Sequence, residues 1–408
     1  MEDNSEKKLN IGLFIDAFFP MIDGVVMVVD NYARRLAKVC NVTVFAPAGR
    51  EKFDDSSLPY KVVRCKAKFP LAFLDYDLPM PNVDKNFSQE VNNSNLDLVH
   101  IHSPFTIGKV GVKYAKKHKI PLISTLHSQF EKDFYRATKS KVITRIMLNI
   151  IAKTFNKCDE LWTMNPGCVK LSHHYGYKGK TALISNATDL KNDFSTDDIS
   201  NLKKEFCEKF GIQKDEKVFI TIGRVNKLKN LDLIVDSCKI LTEKGFKYKW
   251  LIVGSGADKE YFENRIKKLG LENNVVFVGK VMDSKEKGRL FAISDLHLFP
   301  SKYDTDGIVR IEAAAFSIPT LFVQEALAST VITDGFNGYI SNDNPENYAQ
   351  KIEEIFENEE KYLAVCKQCK KDIYITWDTL VPEVYEKYKI MCKNYVLEQK
   401  NNKTNKKS

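Results

Sequence analysis

The chain runs twice through the same alternation of short apolar runs and helix-length stretches. In the first half the apolar runs fall at residues 10–15, 41–46, 61–65, 98–102, 121–126, 160–164 and 181–185. A first helix is expected at 28–39, and helical patterns lie between most of the later runs. The alternation restarts at 217–222 and continues through 248–253, 275–278, 296–299 and 320–323, with helices expected at 231–244, 259–269 and 285–292. Runs this short and this largely apolar suit strands buried on both faces, the condition of a parallel sheet. Parallel neighbours need crossover helices, so two such alternations predict two Rossmann-like, doubly wound α/β domains. The first is placed at 1–188 and the second at 189–375, with the acid-rich 189–198 segment as the link. Ligands of these sheets bind beyond the carboxyl ends of the strands, so two facing sheets would form a cleft.

Composition narrows the class. With 408 residues, 43% of them hydrophobic and 28% charged, the chain can fill two ordinary globular cores. No apolar run approaches the length of a membrane span, and the polar stretch 1–10 does not read as a secretory signal. Nine scattered cysteines suggest reduced thiols and a cytoplasmic setting. Cys366 and Cys369 form a lone C-x-x-C in a lysine-rich helical stretch, without the second pair that a metal site needs. Asn186-Ala187-Thr188 spells a glycosylation sequon that a cytoplasmic chain would not use. The net charge of +9 calls for an anionic partner. Part of that excess lies in the stretch 396–408, expected to be a disordered basic tail. Nucleic acid is disfavoured, because the basic residues are not interleaved with aromatics in a binding stripe.

The residues that follow strands carry the chemistry. After the run 296–299 comes a polar turn with Asp304, Thr305 and Asp306, then Gly307, then a helix-forming run opening at Ile308 and holding Glu312. A helix N-terminus offers unpaired N–H groups and positive dipole to a phosphate, and carboxylates beside it accept from sugar hydroxyls. Together these suit a nucleotide-sugar. After the strand at 217–222, Gly223 and Arg224 are followed by Lys229, two cations suited to clamping a diphosphate. In the loop after the first strand, Asp23 and Gly24 precede a helix, and the glycine would let backbone approach a ligand. His102 and His127 end strands and so point toward the expected cleft, while His100 reads as a core histidine.

The acidic turn resembles the donor-site signature of the retaining glycosyltransferases of family 4: Pro-Ser, two residues, an acid, seven residues, then Glu-Ala. Asp304 and Glu312 stand at that spacing, with Asp where the family usually has Glu. Gly-Arg, four residues, Lys at Gly223, Arg224 and Lys229 is similar to the family's diphosphate site. The resemblance covers roughly residues 10–395 and implies the GT-B fold, with a terminal helix at 376–395 crossing back onto the first domain. It implies Arg224 and Lys229 on the diphosphate, Glu312 on the ribose, Asp304 on the donor sugar and His127 beside it. It further implies backbone around Lys280 and Val281 on the base, Gly24 on donor phosphate, Asp23 and His102 near the acceptor, and closure of the two domains over the substrates. Asp304-Thr305-Asp306 also spells the D-x-D of a metal-dependent class. That class carries the motif earlier in a chain with one nucleotide domain, so no metal or other cofactor is expected. Two departures, Ala326-Leu327 and Asn186-Ala187 where the family has Gly-Gly and Asn-Gly, bear on the shape of the acceptor loop.

Between residues 139 and 157 apolar pairs recur every four residues, with Lys141, Arg145, Lys153 and Lys157 among the polar positions. Such a helix suits an anionic leaflet, or its stripe packs on the first domain's sheet. The expectation is a hexosyltransferase peripheral to the inner face of the membrane, using a nucleotide diphosphate sugar, UDP-sugar first. A lipid or lipid-linked acceptor is expected, the resemblance being nearest to enzymes that glycosylate diacylglycerol. The alternatives are a capsule, teichoic acid or exopolysaccharide transferase acting on a glycan, a glycogen- or sucrose-type synthase, and an inactive nucleotide-sugar- or lipid-binding protein.

Overall fold

A computed structural model describes residues 8–69 and 77–404. The chain divides into two compact units. The first holds the described residues up to Met164, then Cys168–Ser185, then the chain from Trp377 onward. Its elements run β1 (Asn10–Phe14), α1 (Gly24–Leu36), β2 (Asn41–Pro47), β3 (Lys61–Cys65), the short β4 (Lys68–Phe69) and β5 (Leu78–Pro79), and α2 (Lys85–Asn92). They continue through β6 (Leu98–Ile101), α3 (Thr106–His118), β7 (Leu122–Thr125), α4 (Phe130–Thr138), α5 (Lys141–Phe155), β8 (Glu160–Thr163), α6 (Pro166–His174) and β9 (Lys180–Leu183). The second unit, Asn165–Gly167 and Asn186–Thr376, carries α7 (Thr196–Phe210), β10 (Lys217–Ile222), α8 (Leu231–Glu243), β11 (Tyr248–Val253), α9 (Lys259–Lys268), β12 (Val275–Gly279) and α10 (Ser284–Ala292). It ends with β13 (Leu296–Phe299), α11 (Ile308–Ala315), β14 (Thr320–Val323), β15 (Tyr339–Ser341), α12 (Pro345–Glu357) and α13 (Glu359–Ile373); α14 (Trp377–Thr404) returns to the first unit.

Each unit is built on one parallel sheet. The orders are β3-β2-β1-β6-β7-β8-β9 and β12-β11-β10-β13-β14-β15. Both reverse direction once, between β1 and β6 and between β10 and β13, the doubly wound pattern whose ligand site lies at the reversal. Strands β6, β7, β13 and β14 are buried along their whole length, their mostly apolar sequences carrying one or two polar residues each: His100, Ser124 and Thr125, His297 and Thr320. Val26, Val29, Ala33 and Leu36 of α1, spaced at helical period, are wholly buried.

Three boundaries differ from the sequence expectation. Helix α1 starts at Gly24, four residues before the expected 28, because the Asp23 carboxylate accepts from Val26 N at 2.8 Å and caps it. Within the expected link, Ser195 and Asp198 form a reciprocal capping box that starts α7. The tail does not begin at 396: α14 runs on to Thr404, while 405–408 lie outside the described residues.

Candidate functional site

At the reversal of the second sheet, β10 and β13 end side by side, and the turns that leave them hold the expected donor residues. Gly223, Arg224 and Lys229 line one concavity with Pro300 and Ser301. Gly223 sits at φ 154° and Gly254, after β11, at φ 148°. A Cβ on Gly254 would lie 1.8 Å from the Gly223 carbonyl oxygen, and one on Gly256 would lie 2.1 Å from that of Val225. These turns therefore need bare backbone, which the Val253-Gly254-Ser255-Gly256 run announces and the sequence reading passed over. Arg224 is exposed, and no hydrogen-bond or ion-pair partner for it is found among the described residues. Lys229 Nζ instead donates to both oxygens of Asp304, at 2.7 and 2.8 Å.

Asp304 and Asp306 take different partners. The Asp304 N–H donates to Ser301 Oγ at 3.3 Å, and its carboxylate meets Lys229. Asp306 is buried, its carboxylate accepting from Asn186 Nδ2 at 2.8 Å and from the Arg310 guanidinium. Through these partners the Asp306 side chain holds the loop that carries the expected donor residues. Asn165 Nδ2 donates to the Thr305 carbonyl at 2.7 Å and Gly167 N to Thr330 Oγ1 at 3.0 Å, which ties Asn165–Gly167 to this unit. Asn186, read from sequence as a mark of acceptor-loop shape, braces this turn.

Gly307 begins α11 at φ 72°, where a Cβ would strike the Phe299 ring at 2.6 Å. Gly307 has no side chain to cap α11, and Arg310 N donates to the Gly307 carbonyl at 3.0 Å, so the N–H groups of Ile308 and Val309 are the ones open to an anion. Glu312, further along α11, is 8% exposed. Its Oε1 accepts from Lys287 Nζ of α10 at 2.8 Å, and its Oε2 is buried without a partner. Lys287 was not foreseen; a contact across 25 residues between two helices leaves no sequence pattern. Lys280 is exposed and Val281 half-buried beyond Gly279, whose φ of 88° turns the chain out of β12.

The first unit gathers three histidines. His100 is a satisfied core residue, its ring nitrogens 2.6 Å from Tyr388 Oη and 2.7 Å from Thr125 Oγ1. His102 Nδ1 lies 3.1 Å from His127 Nε2, and His102 Nε2 is buried and unpartnered. Burial holds both His100 and His102 well below the ordinary histidine range, so both are neutral. Asp16, just after β1, accepts from Ser103 Oγ, Thr106 Oγ1 and the N–H groups of Ile107 and Gly108, and so caps α3. Burial raises its carboxyl above the usual aspartate range against the pull of those bonds. Asp23 caps α1, and Gly24 has open space where a side chain would stand.

Helix α5 divides its apolar pairs. Ile151 and Phe155 are buried against the first unit's core and Met147 packs at its margin, whereas Val142 (70%), Ile143 (46%), Ile146 (54%) and Ile150 (45%) face solvent. Lys141, Arg145, Lys153 and Lys157 are exposed beside that ridge. Lys109, Lys113 and Lys116 of α3 line a groove with Ile150, Lys153 and Lys157, a basic surface larger than the helix alone suggests. Among the described residues no helix is long and apolar enough to cross a membrane. Cys366 and Cys369 are core residues of α13, their thiols pushed up by burial to about 11 and about 12.

Against known sequences, the family described as Glycosyl transferases group 1 matches residues 203–372, and that described as Glycosyltransferase Family 4 matches residues 22–192. An alpha-monoglucosyldiacylglycerol synthase of Acholeplasma laidlawii is 26% identical, covering 97% of this chain and 99% of that protein. One from Streptococcus pneumoniae is 24% identical over 81% of this chain and 74% of its own length. HepE of Anabaena, solved with UDP and glucose, has a TM-score of 0.70 at 17% identity, covering 93% of this chain and 99% of its own. Sucrose-phosphate synthase from Thermosynechococcus elongatus gives 0.73 at 16% identity, covering 93% and 98%. At these identities the structural likeness identifies the fold, which is GT-B.

Proposed function

The chain belongs to the group 1 and family 4 glycosyltransferases, and from that premise we propose that this hexosyltransferase moves a hexose from a UDP-sugar to diacylglycerol or a related lipid hydroxyl, with retention. The observation that carries the reading is the set of groups at the end of the second sheet. An unpaired Arg224, the Lys229–Asp304 pair, an uncapped α11 and a buried, unpartnered Glu312 oxygen stand on the turns and helices that follow β10 and β13. Cations and open N–H groups match a diphosphate, and carboxylate oxygens match hydroxyls.

In this reading Arg224 and Lys229 stabilise charge that grows on the departing diphosphate, the role a metal ion fills elsewhere, so no metal is required. The C1–phosphate bond breaks, the acceptor oxygen takes C1, and the hydroxyl proton leaves with the phosphate. Glu312 Oε2 accepts from the ribose, Asp304 from the sugar, and backbone at Lys280 and Val281 borders the base. Asp306 serves through the loop it holds. His127, oriented by His102, is the proposed sugar contact of the first unit, with Asp23 and Gly24 near substrate. The lipid acceptor is supported by the two diacylglycerol-glucosylating relatives and by the apolar ridge and lysine groove of α3 and α5. That surface suits the anionic inner leaflet as a peripheral docking site, with isoleucines entering and lysines at the head groups.

Product mass spectrometry tests this. The protein is incubated with UDP- and GDP-hexoses and anionic liposomes containing diacylglycerol, with chelator present and Glu312→Ala as control. The expected result is a hexosylated lipid made from UDP-hexose by wild type alone. Release of nucleotide diphosphate without a lipid product redirects the acceptor to a glycan or small hydroxyl compound; the absence of both products overturns the reading.

A further inference from the structure

Glu312 presents an asymmetry that its expected role does not explain. The two oxygens of one buried carboxylate are treated differently: Oε1 receives the Lys287 ammonium at 2.8 Å, and Oε2 receives nothing. A buried oxygen left without a donor destabilises a fold, and such atoms recur where a ligand supplies the missing bond. Glutamate χ3 rotation would exchange the two oxygens, so a partner on one of them decides what the other can face. Lys287 is that partner. Its ammonium meets no other side chain among the described residues; the neighbouring Glu286 pairs with Arg289.

The helix that carries Lys287 is itself fixed. At Gly288 a Cβ would sit 3.2 Å from Phe316, which caps the end of α11, and the Phe291 and Phe316 rings stack with centroids 5.6 Å apart. Asp283 caps the start of α10 through the N–H groups of Lys285 and Glu286. Packing of α10 on α11 thus sets where Lys287 reaches, and Lys287 sets how Glu312 is turned.

We infer that Lys287 is a positioning residue of the donor site: it binds Glu312 Oε1 so that Oε2 is kept for the ribose hydroxyls of the nucleotide. The inference rests on the proposed role of Glu312. It predicts an effect confined to ligands that have those hydroxyls, which a general structural role would not produce.

The test is calorimetric binding of UDP and 2′,3′-dideoxy-UDP to wild type, Lys287→Met, Lys287→Arg, Glu312→Gln and the Lys287→Met/Glu312→Gln double variant. Wild type is expected to prefer UDP by about tenfold or more, the worth of a charge-assisted bond pair. Lys287→Met should lose about tenfold for UDP and less than about twofold for the dideoxy compound. Lys287→Arg should recover most of the UDP affinity, and Lys287→Met should add less than about twofold to Glu312→Gln. Equal losses on both nucleotides, or no loss on UDP, would overturn the role of Lys287 while leaving the donor site standing. A wild type that binds UDP and its dideoxy analogue equally, or neither, would overturn the reading of Glu312 itself.

Discussion

Asp304 and Asp306 are separated by one residue, and their surroundings give them opposite fates. Asp306 and Arg310 are both almost wholly buried and paired, with Asn186 on the remaining oxygen. Removing one member of such a pair strands the other, so Asp306→Ala should destabilise the protein by about 3 kcal/mol in urea unfolding. Asp304 and Lys229 are each about a quarter exposed, 22% and 25%, and partly exposed pairs contribute at most about 1 kcal/mol. Asp304→Ala should leave the urea midpoint nearly unchanged and lower kcat/KM for the donor about tenfold or more. A stability loss in Asp304→Ala as large as that of Asp306→Ala would reverse the assignment. Sequence spacing offered both aspartates to the donor, since nothing in Asp-Thr-Asp says which carboxylate turns inward. Asn186 lies 120 residues from Asp306, and Lys287 lies on another helix from Glu312. Partners of that kind become visible only when strands and helices are assembled.

At the scale of elements the strands were legible because a parallel strand buried on both faces is mostly apolar, even where it carries a buried Lys249 or His297. Runs such as 248–253 and 296–299 coincide with β11 and β13. Helix starts were less legible: the Asp23 cap opens α1 four residues before the apolar periodicity does, and the Ser195–Asp198 box lies in a stretch whose acidity suggests a link. Helix α5 shows what periodicity leaves undecided. Its four-residue repeat fits a face on the core and a face on solvent, and the structure uses it for both. Ile151 is 2% exposed and Ile146 54%, so their serine variants should separate. Ile151→Ser should destabilise by about 3 kcal/mol through cavity and desolvation terms. Ile146→Ser should stay within about 0.5 kcal/mol of wild type and weaken co-sedimentation with anionic liposomes roughly tenfold, the loss of one inserted side chain. Unchanged co-sedimentation would remove α5 from the proposed membrane surface.

For the whole molecule, buried histidines fix how stability responds to acid. Burial holds His100 and His102 well below their ordinary range and takes His297 to about 3. As pH falls through about 6.5 the unfolded chain binds protons at these positions and the folded protein does not, so unfolding gains. The contribution is intact above about 6.5 and declines below it by up to about 1.4 kcal/mol per pH unit for each ring. Asp16 and Asp295, raised by burial, act in the opposite sense at lower pH. Urea midpoints at pH 7.5, 6.5 and 5.5 should therefore fall, and His297→Asn should flatten the fall; a flat wild-type profile would contradict neutral burial. Helix α14 has a consequence of another kind. Trp377, Val384 and Tyr388 are buried in the first unit, with Trp377 edge-on to Tyr32 and the Tyr388 hydroxyl on His100. During vectorial synthesis this helix leaves the ribosome after the whole second unit. The nascent first unit must wait with part of its interior uncovered, so the half of the protein made first is the half completed last.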